Sequence, residues 1–428
     1  MNNNIKKYFD GFNNETKDPS LDAMEYFMFE YNNFEKDMNF IHIAGTNGKG
    51  SCAQILNNIL INSGLNVGKF ISPHLINYNE RITINNNEIF DREIEEFIKE
   101  LEPKIKKYSL KNKTKITLFE LETIMALLYF YRKNADIIIL ETGLGGLYDC
   151  TNIITRPIVS IVTSVGLDHT NLLGSTLTEI AFQKAGIIKK DSQSIFIEQE
   201  QEVNNIFINQ AKKKNNKFNL IKQDQILNYR FDLDYQYFDF ENLKEIAVGL
   251  KGKAQIKNAA IAIKCSEILN KSGYNISEKN IRDGIKNTYH KARFEIINKE
   301  PLIIYDGAHN EPAIKNFLNT IDMYYKNNKR VYIVSILRTK DYKKIIEILM
   351  KDQDAEFIFT SGSAREKKLY VTGEELYNTA LKYKKNQILS WGDLSQVIKN
   401  IIKNKLEKVY FCVGSFYIYP DVMDQINK

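Results

Sequence analysis

The feature that most limits what this chain can fold into is Ala44-Gly45-Thr46-Asn47-Gly48-Lys49-Gly50-Ser51. It follows the apolar run Asn39–Ala44 and precedes an amphipathic stretch that starts at Ser51 and stops at Gly64. A strand, a glycine-rich turn and a helix in that order aim backbone N–H groups and the positive end of the helix at an anion. From such a loop Lys49 reaches the β- and γ-phosphates, the Ser51 hydroxyl is a Mg2+ ligand, and Thr46, Asn47, Gly48 and Gly50 complete the cradle. Gly50 separates Lys49 from Ser51, so the spacing departs from the strict G-x-x-x-x-G-K-[ST] loop. The expected ligand is a nucleoside triphosphate. By itself the loop fits a kinase, a switch GTPase or a ligase.

The same rhythm of short apolar runs and helical patterns continues, which predicts a parallel α/β architecture. Val67–Ser72, Ile137–Glu141 and Ile158–Thr163 read as further buried strands, and the polar chemistry follows their ends, where open α/β sheets bind ligands. Tyr229–Phe240 alternates Asp and Tyr with apolar residues, the pattern of a solvent-facing strand in a small accessory sheet. After residue 293 the rhythm restarts, with strands expected near Leu302–Tyr305, Arg330–Ile336, Glu356–Thr360 and Lys408–Val413. The expected division is an ATP-binding domain over 1–292 and a Rossmann-like α/β domain over 293–428.

Composition excludes several other classes. Hydrophobic residues make up 43% and charged residues 26% of the 428, the balance of a globular chain. The net charge of +6 is spread along the sequence, which argues against nucleic-acid binding. No apolar run nears the ~18 residues of a membrane span, and the first residues lack a signal peptide's apolar segment. The four cysteines lie far apart without metal-ligand spacing, as reduced thiols of a cytoplasmic protein do.

Further motifs narrow the reading. Ser72-Pro73-His74-Leu75 with Asn79-Glu80-Arg81-Ile82 forms one; Glu141-Thr142-Gly143-Leu144-Gly145-Gly146 with Asp149-Cys150-Thr151-Asn152 forms another. Ser164…Asp168-His169-Thr170, Glu179…Lys184-Ala185-Gly186-Ile187 and Phe119-Glu120…Thr123 follow. Later come Asn258-Ala259-Ala260, Arg293-Phe294-Glu295, Asp306-Gly307-Ala308-His309-Asn310, Lys340-Asp341 and Gly414-Ser415-Phe416-Tyr417. Together with G-T-N-G-K-G-S, this set resembles the folylpolyglutamate synthase and dihydrofolate synthase family of the Mur ligase superfamily over most of the chain.

The resemblance implies an N-terminal P-loop, Mur-ligase-like ATPase domain and a C-terminal glutamate-ligase domain. It implies an ATP-dependent ligase that adds L-glutamate to folate or dihydropteroate through an acyl phosphate. Ser51, Ser72, Glu141 and His169 would hold two Mg2+ ions, and Lys184 would be carbamylated. Imidazole is an unusual Mg2+ ligand, and only the resemblance suggests that role for His169. Asn258 would contact adenine, Arg293 the ATP phosphates, and Phe119, His74 and Arg81 the folate. Asp306 would serve ATP binding and, with His309, the incoming glutamate. The family prior is a monomer.

The departures are local. Leu147 and Tyr148 follow Gly146 where the family usually has Arg, Ala254-Gln255 replaces a His-Gln pair, and Ala292 replaces a Gly before Arg293. These leave the phosphate and metal residues intact and bear on the folate pocket and the adenine wall. A ligase for nucleotide-linked peptidoglycan precursors would need a separate N-terminal domain before the loop. A P-loop kinase would not need Glu141, His169 and Lys184 together. Whether dihydropteroate, reduced folates or both are substrates stays open at this level.

Overall fold

Strands made almost wholly of β-branched and other apolar residues organise the first half of the chain, as expected where both sheet faces are covered. The computed structural model describes residues 2–12, 20–362, 369–404 and 406–427, so Met1 and Lys428, the outer limits of the expected domains, lie outside it. The first strands are β1 (Phe40–Ala44), β2 (Val67–Phe70), β3 (Ile82–Ile84) and β4 (Asn87–Glu88). Next come β5 (Ile137–Glu141), β6 (Val159–Val162), β7 (Gln193–Ile197) and β8 (Lys217–Ile221). They form one sheet in the order β4-β3-β2-β5-β1-β6-β7-β8. From β2 to β8 neighbouring strands run parallel; β3 and β4 are antiparallel additions at one edge.

The chain leaves β1 toward one side of the sheet and crosses to its other side only at β6. That reversal beside β1 is the switch point at which such sheets open a crevice. Every residue of β1 and β5 is buried. The helix Lys49–Asn62 starts two residues earlier than expected, because Gly48 in the left-handed region already turns the chain into it. It ends before Gly64, whose φ of +83° suits a residue without Cβ.

A three-stranded sheet follows, of β9 (Ile226–Phe231), β10 (Gln236–Phe240) and β11 (Leu243–Val248), in the order β11-β10-β9. The single strand expected over Tyr229–Phe240 is therefore two. Asp232 breaks it: its carboxylate accepts from the N–H groups of Asp234 and Tyr235, closing a turn. The last six strands are β12 (Glu295–Lys299), β13 (Leu302–Asp306), β14 (Arg330–Val334), β15 (Glu356–Ser361), β16 (Ile388–Asp393) and β17 (Val409–Val413). Their order is β12-β13-β17-β14-β15-β16, parallel apart from β12. Tyr332, Phe357, Phe359 and Phe411 fill the core against this sheet.

The chain divides into two compact units. One comprises Met1–Tyr229, Tyr237–Val248 and Lys257–Thr288; the other comprises Arg230–Gln236, Gly249–Ile256 and Tyr289–Lys428. Among the described residues all four cysteines are free thiols, and no helix is long and apolar enough to cross a membrane.

Candidate active site

Adjacent strand ends in the first unit carry most of the expected residues. β1 lies between β5 and β6, with Ile43 opposite Glu141 and Ala44 opposite Val162. The loops leaving these strands therefore start at nearly one level. The loop after β1 is tied to the one after β6: Thr46 N donates to Ser164 O at 2.6 Å, and Thr163 Oγ1 donates to Asn47 O at 2.7 Å. Gly166 N donates to Thr46 Oγ1 at 3.0 Å, while Ser164 Oγ accepts from Asn47 N at 3.2 Å. Thr46 and Asn47 thus brace the cradle. Gly48 has φ +89°, and a Cβ there would stand 2.8 Å from Asn258 Oδ1. Asn258 lies in the second turn of the helix Lys253–Lys271, not at its start. Lys253, Ala254 and Gln255 are good helix formers and extend it backward.

Lys49 Nζ donates to Gly45 O at 3.1 Å and lies 3.8 Å from the Glu141 carboxylate. Gly50 and Ser51 form the first turn of the helix after the loop, and Ser51 is buried. Lys184, near the end of the helix Leu177–Ala185, is 2% exposed. Burial brings its amine down to about 7; Lys49 pushes the same way, and Asp168 and Asp149 oppose. An amine in that range is largely neutral near pH 8.

Asp149 connects this region to a residue the motifs did not flag. Its carboxylate accepts from Leu144 N at 2.8 Å, Thr151 N at 3.0 Å and Thr151 Oγ1 at 2.5 Å. Thr151 Oγ1 lies 2.8 Å from Nε2 of the fully buried His42 in β1. Because the hydroxyl donates to Asp149, it accepts from His42, whose proton therefore sits on Nε2. Burial holds His42 well below its ordinary value, with Lys189 adding to the effect. The only sequence signal for His42 is a polar residue in an otherwise apolar strand.

The loop after Glu141 is seated on its neighbours. A Cβ on Gly143 would meet the Phe119 ring at 2.5 Å, so Phe119 packs directly against this turn. Phe119 belongs to the first turn of the helix Leu118–Arg132, not to a loop; Thr117 and Glu120 form its capping box. Leu147 N donates to Gln183 O at 2.8 Å, and Asn152 Nδ2 donates to Leu147 O at 2.9 Å. These bonds fasten the departing Leu147–Tyr148 segment to the helix bearing Lys184. His169 sits at φ +50° with its ring half-exposed, and Asp168 Oδ1 lies 3.8 Å from its Nε2.

Ser72, His74 and Arg81 share a closed loop. Ile71 N donates to Arg81 O at 3.0 Å, and Glu80 accepts from the N–H groups of Leu75, Ile76 and Asn77 at 2.8, 2.9 and 3.0 Å. The Ser72–Pro73 peptide is cis. Arg81 Nε donates to His74 Nδ1 at 2.9 Å, and one terminal nitrogen donates to Glu122 Oε2 at 2.6 Å.

In the second unit, Arg293 lies between Ala292 at φ +56° and Phe294 at φ +47°. Asp306 at the end of β13 accepts from Phe294 N at 2.9 Å and Ala308 N at 2.8 Å. Burial raises the Asp306 carboxyl, and Arg293 opposes that rise. The Arg293 guanidinium sits 4.5 Å from the centre of the Phe416 ring, which also meets His309 at 5.4 Å. His309 Nδ1 lies 2.8 Å from Gly307 O. A carbonyl only accepts, so Nδ1 carries a proton. Asp341, from the late Lys-Asp pair, caps the helix Tyr342–Leu349 through Lys344 N at 3.1 Å.

Residues 43–266 match the Mur ligase middle domain and residues 292–416 the Mur ligase glutamate ligase domain. The dihydrofolate synthase/folylpolyglutamate synthase of Bacillus subtilis is 31% identical over 422 residues, covering 96% of this chain and 95% of that one. The chain belongs to the folylpolyglutamate synthase and dihydrofolate synthase family. Solved structures of that family agree. Folylpolyglutamate synthase of Thermotoga maritima superposes with a TM-score of 0.83 at 27% identity, over 99% of this chain and 96% of that one. Escherichia coli FolC in complex with DHPP and ADP gives 0.84 at 27%, over 98% and 96%. Family membership makes the chain an ATP-dependent ligase.

Among the described residues no three His, Cys, Asp or Glu side chains cluster as a ready-made metal site. The donors expected around Mg2+ are two hydroxyls and one carboxylate, hard oxygens of the kind this ion prefers together with phosphate oxygens and water, joined by the less usual His169 imidazole. The Glu141 carboxylate, 4% exposed and within 3.8 Å of a lysine, shows that this point selects positive charge. The residue set fits the ion.

Proposed function

We propose that this enzyme joins the amine of L-glutamate to the carboxylate of a folate-type substrate, dihydropteroate or a reduced folate, at the expense of ATP. The observation that carries the reading is the gathering of the phosphate loop, Glu141 and the buried Lys184 at neighbouring strand ends and the helix behind them. A switch GTPase or small-molecule kinase has no use for that buried lysine. Residues 1–292 serve as the ATP-binding domain and 293–428 as the glutamate-ligase domain. The enzyme acts as a cytoplasmic monomer.

A carboxylate is a poor acyl donor because its leaving group would be oxide. Transfer of the γ-phosphoryl group onto it gives an acyl phosphate and ADP, with phosphate as the new leaving group. The Gly45–Ser51 cradle orients the phosphates, Lys49 balances the charge that develops on them, and Asn258 holds the adenine. Ser51, Ser72, Glu141 and carbamylated Lys184 would hold Mg2+, with His169 joining Glu141 around a second ion. Bound there, Mg2+ neutralises phosphate charge. Lys184, with a neutral amine within reach of physiological pH, adds to CO2 through its lone pair and loses a proton to water. The resulting carbamate puts an anion near Lys49 where the amine stood.

Phe119, His74 and Arg81 line the folate site. In the second unit Arg293 reaches the phosphates and Asp306 positions glutamate. His309 takes the proton that the glutamate amine sheds as it attacks the acyl carbon. Collapse of the tetrahedral adduct then expels phosphate.

The test is phosphate release with ATP and glutamate, adding dihydropteroate in one series and tetrahydrofolate in another. Stimulation by at least one is expected, and stimulation by neither refutes the folate assignment. Incorporation of 13C-labelled bicarbonate, read as a carbamate carbon resonance lost in Lys184→Ala, tests the lysine modification.

A further inference from the structure

The helix Leu118–Arg132 buries a carboxylate where packing alone would favour an apolar side chain. Glu122 is 3% exposed, and its neighbours Leu121, Thr123 and Ile124 are fully buried. Its only hydrogen bond among the described residues is the one from Arg81 at 2.6 Å; Oε1 is buried without a partner. Burial pushes this carboxyl up to about 7, against the pull of Arg81. A desolvated charge with half of its acceptor capacity unused costs stability, and well-packed apolar residues commonly replace such pairs without loss. The feature therefore calls for a reason other than stability.

Arg81 supplies that reason. Its guanidinium is divided among three tasks. One terminal nitrogen is anchored on Glu122, and Nε donates to His74 Nδ1 at 2.9 Å. The other terminal nitrogen meets no acceptor among the described residues and, with the side chain 15% exposed, is left for solvent or ligand. Tyr78 supports both partners, packing against His74 at 4.2 Å between ring centres with the rings tilted by 39°, and lying 5.2 Å from the guanidinium carbon. Since Arg81 only donates, His74 must accept at Nδ1, and its own proton then sits on Nε2. Glu122 thus fixes the plane of Arg81, and Arg81 fixes the tautomer and tilt of His74.

We propose that Glu122 is a positioning residue that holds Arg81 and His74 as a preset pair of donors for the oxygen-bearing folate or dihydropteroate substrate. This rests on the assignment of Arg81 and His74 to the folate site. Glu122 itself touches no reactant. Its effect falls on substrate affinity and leaves ATP binding in the phosphate loop alone.

The experiment is steady-state kinetics of Glu122→Gln, Arg81→Lys and Arg81→Ala in the full-length enzyme, with thermal unfolding of each. The varied substrate is dihydropteroate or tetrahydrofolate, whichever wild type uses. Glu122→Gln is expected to raise KM for that substrate by about fivefold to fiftyfold while KM for ATP stays within about twofold. Arg81→Lys keeps the charge but loses the fork, and should reproduce the same split even if the Gln variant folds poorly. A Glu122→Gln enzyme whose constants match wild type, while Arg81→Ala loses substrate affinity, overturns the positioning role and leaves the folate-site reading standing. If Arg81→Ala also leaves substrate affinity unchanged, the folate-site reading itself falls. Parallel losses in both KM values, kcat and thermal midpoint would mark Glu122 as merely structural and overturn the proposal.

Discussion

Replacing Thr151 by Val tests whether the buried His42–Thr151–Asp149 chain is a structural tie. The substitution keeps the β-branched shape and removes one hydroxyl, which makes two bonds in a region closed to water. His42 loses its only partner among the described residues, since Nδ1 already lacks one. Asp149 loses one of three side-chain-directed donors and keeps Leu144 N and Thr151 N. An orphaned buried donor costs about 1–3 kcal/mol and a lost bond to a charged acceptor about another 1–2, for a total of about 2–5 kcal/mol. Thr151→Ser keeps the hydroxyl and gives up a methyl, costing about 1 kcal/mol. The assay is urea unfolding followed by far-UV circular dichroism. Fluorescence would mislead, because the single tryptophan, Trp391, lies in β16 of the other unit. Combining His42→Leu with Thr151→Val removes both mates and should recover about 1 kcal/mol or more relative to Thr151→Val. A Thr151→Val loss below about 0.5 kcal/mol, the range of an ordinary surface change, would refute the reasoning.

Gly48→Ala is expected to raise KM for ATP at least about tenfold, because φ +89° strains any side chain and the new Cβ would press on Asn258 Oδ1 at 2.8 Å; isothermal titration with a non-hydrolysable ATP analogue checks it. With Lys184 unmodified at about 7 in the fold against 10.5 as the ordinary value, the unfolded chain binds the extra proton between those limits. Stability therefore rises with pH across that window, and the slope should flatten in Lys184→Met; thermal midpoints from pH 7.5 to 9.5, compared between the two proteins, read it out. Ala292, buried at φ +56°, should accept Gly with a gain of up to about 1 kcal/mol, whereas Val there should cost more than about 2; denaturant midpoints of the two variants separate the cases.

The sequence displayed the central strands well because they are short, apolar and bounded by turn residues: Ile137–Glu141 has the expected limits, and β1, β13 and β17 differ by one residue. β3, β4, β7, β8, β11, β12 and β16 do not stand out in the sequence. β16 shows the reason, since Ile388–Asp393 is mostly exposed and carries no period-two pattern. The order of the second sheet was equally hidden, because β17 inserts between β13 and β14 through contacts far apart in sequence. In the site, glycines and strand-end carboxylates announced themselves, as their chemistry is local. His42 and Glu122 did not, because each matters through a partner that sequence spacing does not reveal: Thr151 for one and Arg81 for the other.

The register of β5 against β1 has a consequence for how this enzyme can vary. Ile43 faces Glu141 across the pair, and side chains alternate sides along a strand. One residue added within Ile137–Glu141 would turn the carboxylate to the opposite side of the sheet, whereas residues added after Gly146 would only lengthen a surface excursion. The sheet therefore works as a ruler with one fixed graduation, and drift in length is confined to the segments beyond it, Leu147 and Tyr148 among them.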